Sequence, residues 1–502
     1  MKILVDTNIV IHREAARTQN KEVGHLFRWL DNLHYTKCVH PLTVAEINKL
    51  QAGNTRDAFN VKLANYNVLN VPATLHADVD QVCRPLDFND NDRNDTLLIN
   101  EVYCNRVDFL ITEDRKIRRK AQLLGVADRA FTIDGFLEKV TAENPGLADY
   151  KVLAVKKEFF GNVDLRDEFF DSFREDYPGF EVWFNGKSEE IAYTCRLDGK
   201  ISAFLYLKIE DVREPYPDIS PSFQPKRRLK IGTFKVTQNG FKLGERFLKI
   251  VFDNAIRLNV HEVYVTVYEN RLEQIRLIAL LEEYGFTRFG VKRGQSSEEI
   301  VLVRDMHKGI NASDPKLSYP FFGVNTRHFI VPIYPDYHTS LFPDSILRTE
   351  SPSDFEEHEP FRNAISKVYV SRSYNRDLRS GDVIVFYRTG GLYKGVATTI
   401  GVVENVVTDI TNSQSFVLHC RKRSVFTDQQ LLAQWTFSST RPFVVNFLYT
   451  YSLPKRPNLK RLIEIGVIQD INSVPRGFAR ITKEQFENLL REAGADDRFI
   501  VN

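Results

Sequence analysis

Five carboxylates stand where an apolar run gives way to something else. Asp6 closes the first run in "MKILVDTNIVIHRE". Glu46 sits in "PLTVAEINKL", Asp92 and Asp95 in "NDRNDTLLINEV", and Asp114 in "DFLITEDRKI". Singly, each has a plain explanation. Thr43-Val44-Ala45-Glu46 has the spacing of a capping box. Asp92 and Asp95 suit the positive start of a helix, and Asp114 can cap "RKIRRKAQLLG". Gathered in one cleft, such acids would repel one another strongly. A hard divalent cation relieves that repulsion: Mg²⁺ or Mn²⁺ takes oxygen ligands and keeps waters. A metal-bound water can attack a phosphodiester. The basic run Arg115, Lys116, Arg118, Arg119, Lys120 follows directly, as a solvated helix face or as a holder of phosphates.

The elements around these acids decide whether they can meet. Over residues 1–147, "KILV", "DFLIT" and "AFTI" alternate with the helical stretches "KEVGHLFRWLDNL" and "TLLINEVYC". That alternation predicts a mostly parallel sheet. In such sheets ligands bind beyond the carboxyl ends of the strands, which is where Asp6 and Asp114 fall. This block resembles the PIN domain family of metal-dependent nucleases through "ILVDTNIVI", "LTVAEINKL", "DRNDTLLINEV" and "FLITEDRKI". The resemblance implies a parallel α/β/α sandwich whose catalytic and metal-binding acids are Asp6, Glu46, Asp95 and Asp114. It also pairs Thr112 with the family's hydroxyl, Asn8 with its Asp-x-Asn start, and leaves Asp92 as an outer acid.

Residues 150–307 are mixed, with strands "IAYTCRL", "ISAFLYLKI" and "EVYVTVY" and a helix over 271–283. Between them lies "LKIGTFKVTQNGFKLGERFLKIVFDNAIRLNV", a strand, a polar turn and a long amphipathic helix. Gly240 and Gly244 permit tight backbone at the helix start, and free N–H groups there suit an anion. The block resembles the GNAT acetyltransferases, which implies an α+β fold that binds acetyl-CoA. The strand near Phe234 and Val236 would line the thioester arm. Asn239, Gly240, Lys242 and Gly244 would face the pyrophosphate, and Asn270 ends the following strand. Lys242 replaces the family's middle glycine and Asn239 its leading basic residue. Leu281 stands where the family often carries a tyrosine acid, with Tyr284 three residues away.

Residues 318–502 are rich in strands and turns: "HFIVPI", "SGDVIVFYRTGG", "GLYKGVATTIGVVENVV" and "FVLHCRKRSVF". They suggest a small closed β fold and resemble the PUA-like superfamily, nearest its ASCH and EVE-type members. That implies a β-barrel that binds RNA, with Tyr387, Arg388, Arg421 and Arg423 supplying stacking and charge. Lys394, Lys422 and Trp435 belong to the same mixture.

The 502 residues are 43% hydrophobic, enough for about three domains. Net charge is +2, so any basic surface is local. Five scattered cysteines without a CxxC pair read as reduced thiols in the cytoplasm. Before the first strand there is no room for a signal peptide, and no apolar run is long enough to span a membrane. The expectation is therefore a multidomain α/β protein. It would be an endoribonuclease using Mg²⁺ or Mn²⁺, with an attached acetyl-CoA domain and an RNA-binding domain. A toxin acting on tRNA or another RNA, opposed by an antitoxin protein and open to self-association, suits that company of domains. The alternatives are an N-acetyltransferase acting on an RNA-linked or protein amine, with the PIN-like block used for binding, and a non-enzymatic RNA-binding scaffold.

Overall fold

The run Lys2–Val5 buries its last three side chains completely. An uninterrupted apolar strand of this kind belongs in a sheet covered on both faces. The computed structural model describes residues 1–14, 21–49, 63, 65–143, 155–197, 200–237, 242–294, 298–345, 360–437 and 440–502. The chain divides into two compact units, Met1–Leu147 and Ala148–Asn502.

In the first unit, β1 (Lys2–Val5), β2 (Thr36–Val39), β3 (Asn67–Val68), β4 (Phe109–Ile111) and β5 (Ala130–Phe131) form one sheet, in the order β3-β2-β1-β4-β5. Every neighbouring pair is parallel. Helices connect the strands, among them Asp90–Tyr103 and Arg115–Leu123. The order reverses between β1 and β4, which sets a ligand-accessible edge beyond their carboxyl ends. Asp6 follows β1 there, and Thr112 and Asp114 follow β4.

The second unit holds two large sheets. The first contains β6 (Val155–Phe159), β7 (Ile191–Leu197), β8 (Lys200–Glu210), β9 (Ile219–Ser220), β10 (Arg228–Val236), β11 (Glu262–Val267), β12 (Thr287–Arg293) and β13 (Glu298–Asp305), in the order β6-β7-β8-β10-β11-β13-β12-β9. Only β10 and β11 run parallel; the other pairs are antiparallel. The helix Leu243–Arg257 returns from β10 and buries Leu243, Phe247, Leu248, Val251, Phe252, Ala255 and Ile256, the period expected of a core-facing stripe.

The second sheet contains β15 (His328–Ile333), β16 (Ser366–Ser371), β17 (Val383–Arg388), β18 (Val396–Val407), β19 (Phe443–Ser452) and β20 (Ala479–Ile481). Its order is β16-β19-β18-β17-β15-β20, and β15 runs parallel to β17. A short pair, β14 (Phe322–Gly323) with β21 (Ile500–Val501), stands apart. Among the described residues the six-stranded sheet is open, with β16 and β20 at its edges, and the expected closed barrel is not formed. The stretch expected as a strand, "FVLHCRKRSVF", begins instead in a helix, Ser413–Cys420. Asn412 caps its start, and Phe416, Val417 and Cys420 turn inward at helical spacing. One apolar core runs through both sheets: Phe252 of the returning helix packs with Tyr319, Ile330, Val385 and Leu448 in the same cluster. The two blocks expected at 150–307 and 318–502 therefore share an interior.

Candidate functional site

In the second unit, β10 and β11 begin as partners and then part. Their pairing runs from Arg228↔Glu262 to Ile231↔Val265 and stops. β10 continues on its other side, paired with β8 as far as Val236↔Ala203. A register shift between Ile231 and Thr233 leaves Gly232 bulged. Beyond the bulge, among the described residues, the β10 edge that faced β11 has backbone donors and acceptors without a strand partner. An extended ligand carrying amides can pair with such an edge.

The parted strands open into a cavity of about 1090 Å³. Gly232, Phe234 and Val236 line it from β10, Lys242 and Gly244 from the start of the returning helix, and Leu280 from the helix Leu272–Glu283. Tyr206 presses its ring against the bulge: a Cβ on residue 232 would stand 2.7 Å from it. Its hydroxyl accepts a hydrogen bond from Lys187 Nζ at 3.1 Å. Tyr177 donates to Glu299 at 2.9 Å, and both line the cavity. Lys230 lines it too, and burial holds its ammonium below the usual lysine range.

The helix start is charged and paired. Glu245, in its first turn, accepts from Ile365 and Ser366 backbone N–H groups at 2.9 and 3.2 Å. Arg423 meets it at 3.2 Å and Lys242 at 3.1 Å. Burial pushes the Glu245 carboxyl up, but Arg423 and Lys242 outweigh it and leave it below the ordinary range. One residue on, Arg246 forms a two-pronged pair with Asp344, at 2.8 and 2.6 Å.

Of the residues expected to hold acetyl-CoA, Phe234, Val236, Lys242 and Gly244 meet on this cavity. Asn239 and Gly240 lie outside the described residues. Asn270 is exposed and is not on the wall: its backbone N–H bonds Gln274 in the next helix turn. Leu281 and Tyr284 are core residues, and Tyr284 packs on Tyr319 rather than reaching the cavity. Sequence reasoning missed Tyr206, Gly232, Lys187 and Glu299. A lone glycine inside a strand pattern was a usable signal for the bulge; the others carried none.

In the first unit, Asp6 is buried and accepts from Thr112 Oγ1 at 2.6 Å. Burial pushes its carboxyl up, and Asp114 and Glu46 add to the rise. Asp95 is pushed up to about 7, first by burial and then by the charge of Asp114. The acids therefore share one electrostatic neighbourhood. Among the described residues, however, no three of His, Cys, Asp or Glu gather tightly enough to hold a metal ion. Several of the acids also accept hydrogen bonds from donors of their own. Asn94 donates to Glu46 at 3.4 Å, Lys116 Nζ to Asp92 at 2.6 Å, and the Lys116 backbone N–H to Asp114 at 2.6 Å. The capping box at Thr43 also does not form. His40 caps that helix instead, and Thr43 is buried against Thr7.

The cations and ring expected to meet RNA differ in exposure and in partners. Lys116 is tied to Asp92, Arg118 is half-buried, and Arg115 and Arg119 are exposed. Tyr387 is 0% exposed and Arg388 is buried, so the ring offers no face to a base. Arg421 is exposed and paired with Asp428 at 2.6 Å. Arg423 belongs to Glu245.

No family model matches the chain, and no curated protein matches it. Among solved structures it is similar to an acyl-CoA N-acyltransferase from Pseudomonas aeruginosa, at 19% identity over 30% of this chain and 98% of the other, with a TM-score of 0.21. A GNAT-family acetyltransferase from Streptococcus agalactiae gives 15% identity, 30% and 81% coverage, and a TM-score of 0.20. Arabidopsis thaliana NAA60 in complex with acetyl-CoA gives 18%, 30% and 99%, and 0.22. These likenesses are confined to under a third of the chain and decide neither activity nor substrate. Among the described residues, no helix is long and apolar enough to cross a membrane.

Proposed function

We propose that the second unit is an acyl-CoA N-acyltransferase. One observation carries the reading: β10 leaves β11 after Ile231 and bulges at Gly232, on the wall of the 1090 Å³ cavity. A slot with one unpaired strand edge suits an extended arm bearing amides. The start of the helix Leu243–Arg257 suits its phosphates. Acetyl-CoA, when bound, supplies an activated acyl carbonyl. The chain's part is to hold it against an amine and to move protons. The acceptor ammonium gives its proton to solvent in the cavity, beside Lys230, whose ammonium burial holds below its usual range. Tyr206, at the bulge, returns one to the leaving thiolate in place of the tyrosine missing at Leu281. Calorimetry with acetyl-CoA, followed by thiol release across a panel of amines, tests this. Saturable binding and amine-dependent release are expected. No binding at millimolar acetyl-CoA overturns it.

A second reading concerns the first unit, as a hydrolase of RNA phosphodiesters. Its support is the shared field of Asp6, Asp95 and Asp114 at the switch point of a parallel sheet. The acids as placed do not form a metal ligand set, so no metal-borne step is derived. Incubation of total RNA with wild type and Asp6→Asn, with and without Mn²⁺, tests it. Equal cleavage by both proteins removes the assignment.

A further inference from the structure

The cavity is not walled by its own sheet alone. Lys422, which follows the helix Ser413–Cys420 and stands next to Arg423, the partner of Glu245, is on the cavity wall. We infer that the Lys422-Arg423 pair completes the phosphate-binding end of the cavity, so that the C-terminal sheet region is part of the cofactor site. This rests on the acyltransferase reading and adds to it a residue from outside the acyltransferase-like sheet.

Two observations meet here. Glu245 is itself on the cavity wall, in the first turn of the helix whose N–H groups would face phosphate. Left bare, its carboxylate would repel the ligand. Arg423 covers it at 3.2 Å and also donates to the Ser366 carbonyl at 2.5 Å, which ties the covering residue to β16. Lys242 meets the same carboxylate oxygen, Oε1, at 3.1 Å. With Glu245 neutralised in this way, the exposed Lys422 adds a cation, and the Arg423 anchor fixes where it stands. Arg423 is thus a positioning residue, while Lys422 contacts a phosphate of the nucleotide. Coenzyme A offers two sources of that phosphate, the pyrophosphate and the 3′-phosphate.

The test is calorimetry on the full-length chain with CoA, 3′-dephospho-CoA and pantetheine. Lys422→Glu should weaken CoA binding by roughly ten- to a hundredfold, the size of a charge-assisted contact. Pantetheine binding should not change. Sensitivity kept with dephospho-CoA identifies the pyrophosphate as the partner; sensitivity lost identifies the 3′-phosphate. Arg423→Ala should weaken CoA binding too, and adding Glu245→Gln should restore most of it, because the bare carboxylate is then gone. Rescue would also exclude a merely misfolded variant. Wild-type CoA binding that is indifferent to Lys422→Glu overturns this inference while sparing the acyltransferase reading. Absence of CoA binding in wild type overturns both.

Discussion

A Cβ on residue 232 would stand 2.7 Å from the ring of Tyr206, so the bulge in β10 and this tyrosine are fitted to each other. The ring is buried in one cluster with Phe160, Phe204 and Ala192. Gly232→Ala should therefore shift the ring or the bulge. Stability should fall by about 1–3 kcal/mol, as for overpacking. Acyl transfer should fall about a hundredfold, because a displacement near 1 Å at a reacting centre costs that much. Thiol release and a urea melt on the same protein read both effects.

Tyr206→Phe removes only the hydroxyl that Lys187 contacts at 3.1 Å. If that hydroxyl returns the proton to the thiolate, kcat should fall by roughly a hundredfold or more while KM for acetyl-CoA stays near wild type. Unchanged kcat would leave Tyr206 as packing alone.

Buried Arg246 and half-buried Asp344 form a pair that joins the returning helix to the turn Pro343–Ser345, between β15 and β16 of the second sheet. Burial pushes the Asp344 carboxyl up, yet Arg246 outweighs it and holds it well below the ordinary range. A lowered carboxylate stabilises the fold above its unfolded pKa of 3.8, and that stabilisation is lost as pH falls below it. Asp344→Asn leaves a buried guanidinium without its counter-charge, at a cost of about 3–5 kcal/mol. The urea midpoint at neutral pH should drop, and the difference from wild type should shrink in acid.

Asp95 behaves in the opposite sense. Its carboxyl is raised from 3.8 to about 7 by burial and by Asp114. A raised carboxyl contributes fully below pH 3.8, and that contribution is lost as pH rises through about 7. The first unit should therefore be more stable at pH 5 than at pH 8. Asp95→Asn should stabilise it at pH 8 by about 1–2 kcal/mol, once solvent screening at this part-exposed group is allowed for. Melts of wild type and variant across this range check it; parallel curves would contradict the raised Asp95 carboxyl.

Local chemistry determined much of this protein from its sequence alone. Apolar runs and helical periods placed β1, β4, β7, β10, β11, β15 and the helix after β10, because hydrophobic spacing acts over a few residues. The positions of Asp6 and Asp114 at strand ends were legible for the same reason. What these residues do to one another was not. The acids' partners are set by the tertiary fold: Thr112 donates to Asp6, Asn94 to Glu46 and Lys116 to Asp92. "SQSFVLHC" became a helix because Asn412 caps it and a core lay ready for Phe416 and Cys420. Tyr387 carried an RNA reader's composition, yet packing put it inside. Arg423 looked like a free cation, yet it closes on Glu245, 178 residues earlier in the chain. Composition registers that both charges exist. Only the tertiary structure, by sharing one core between two sheets, decides that they meet and that their meeting shapes the cavity.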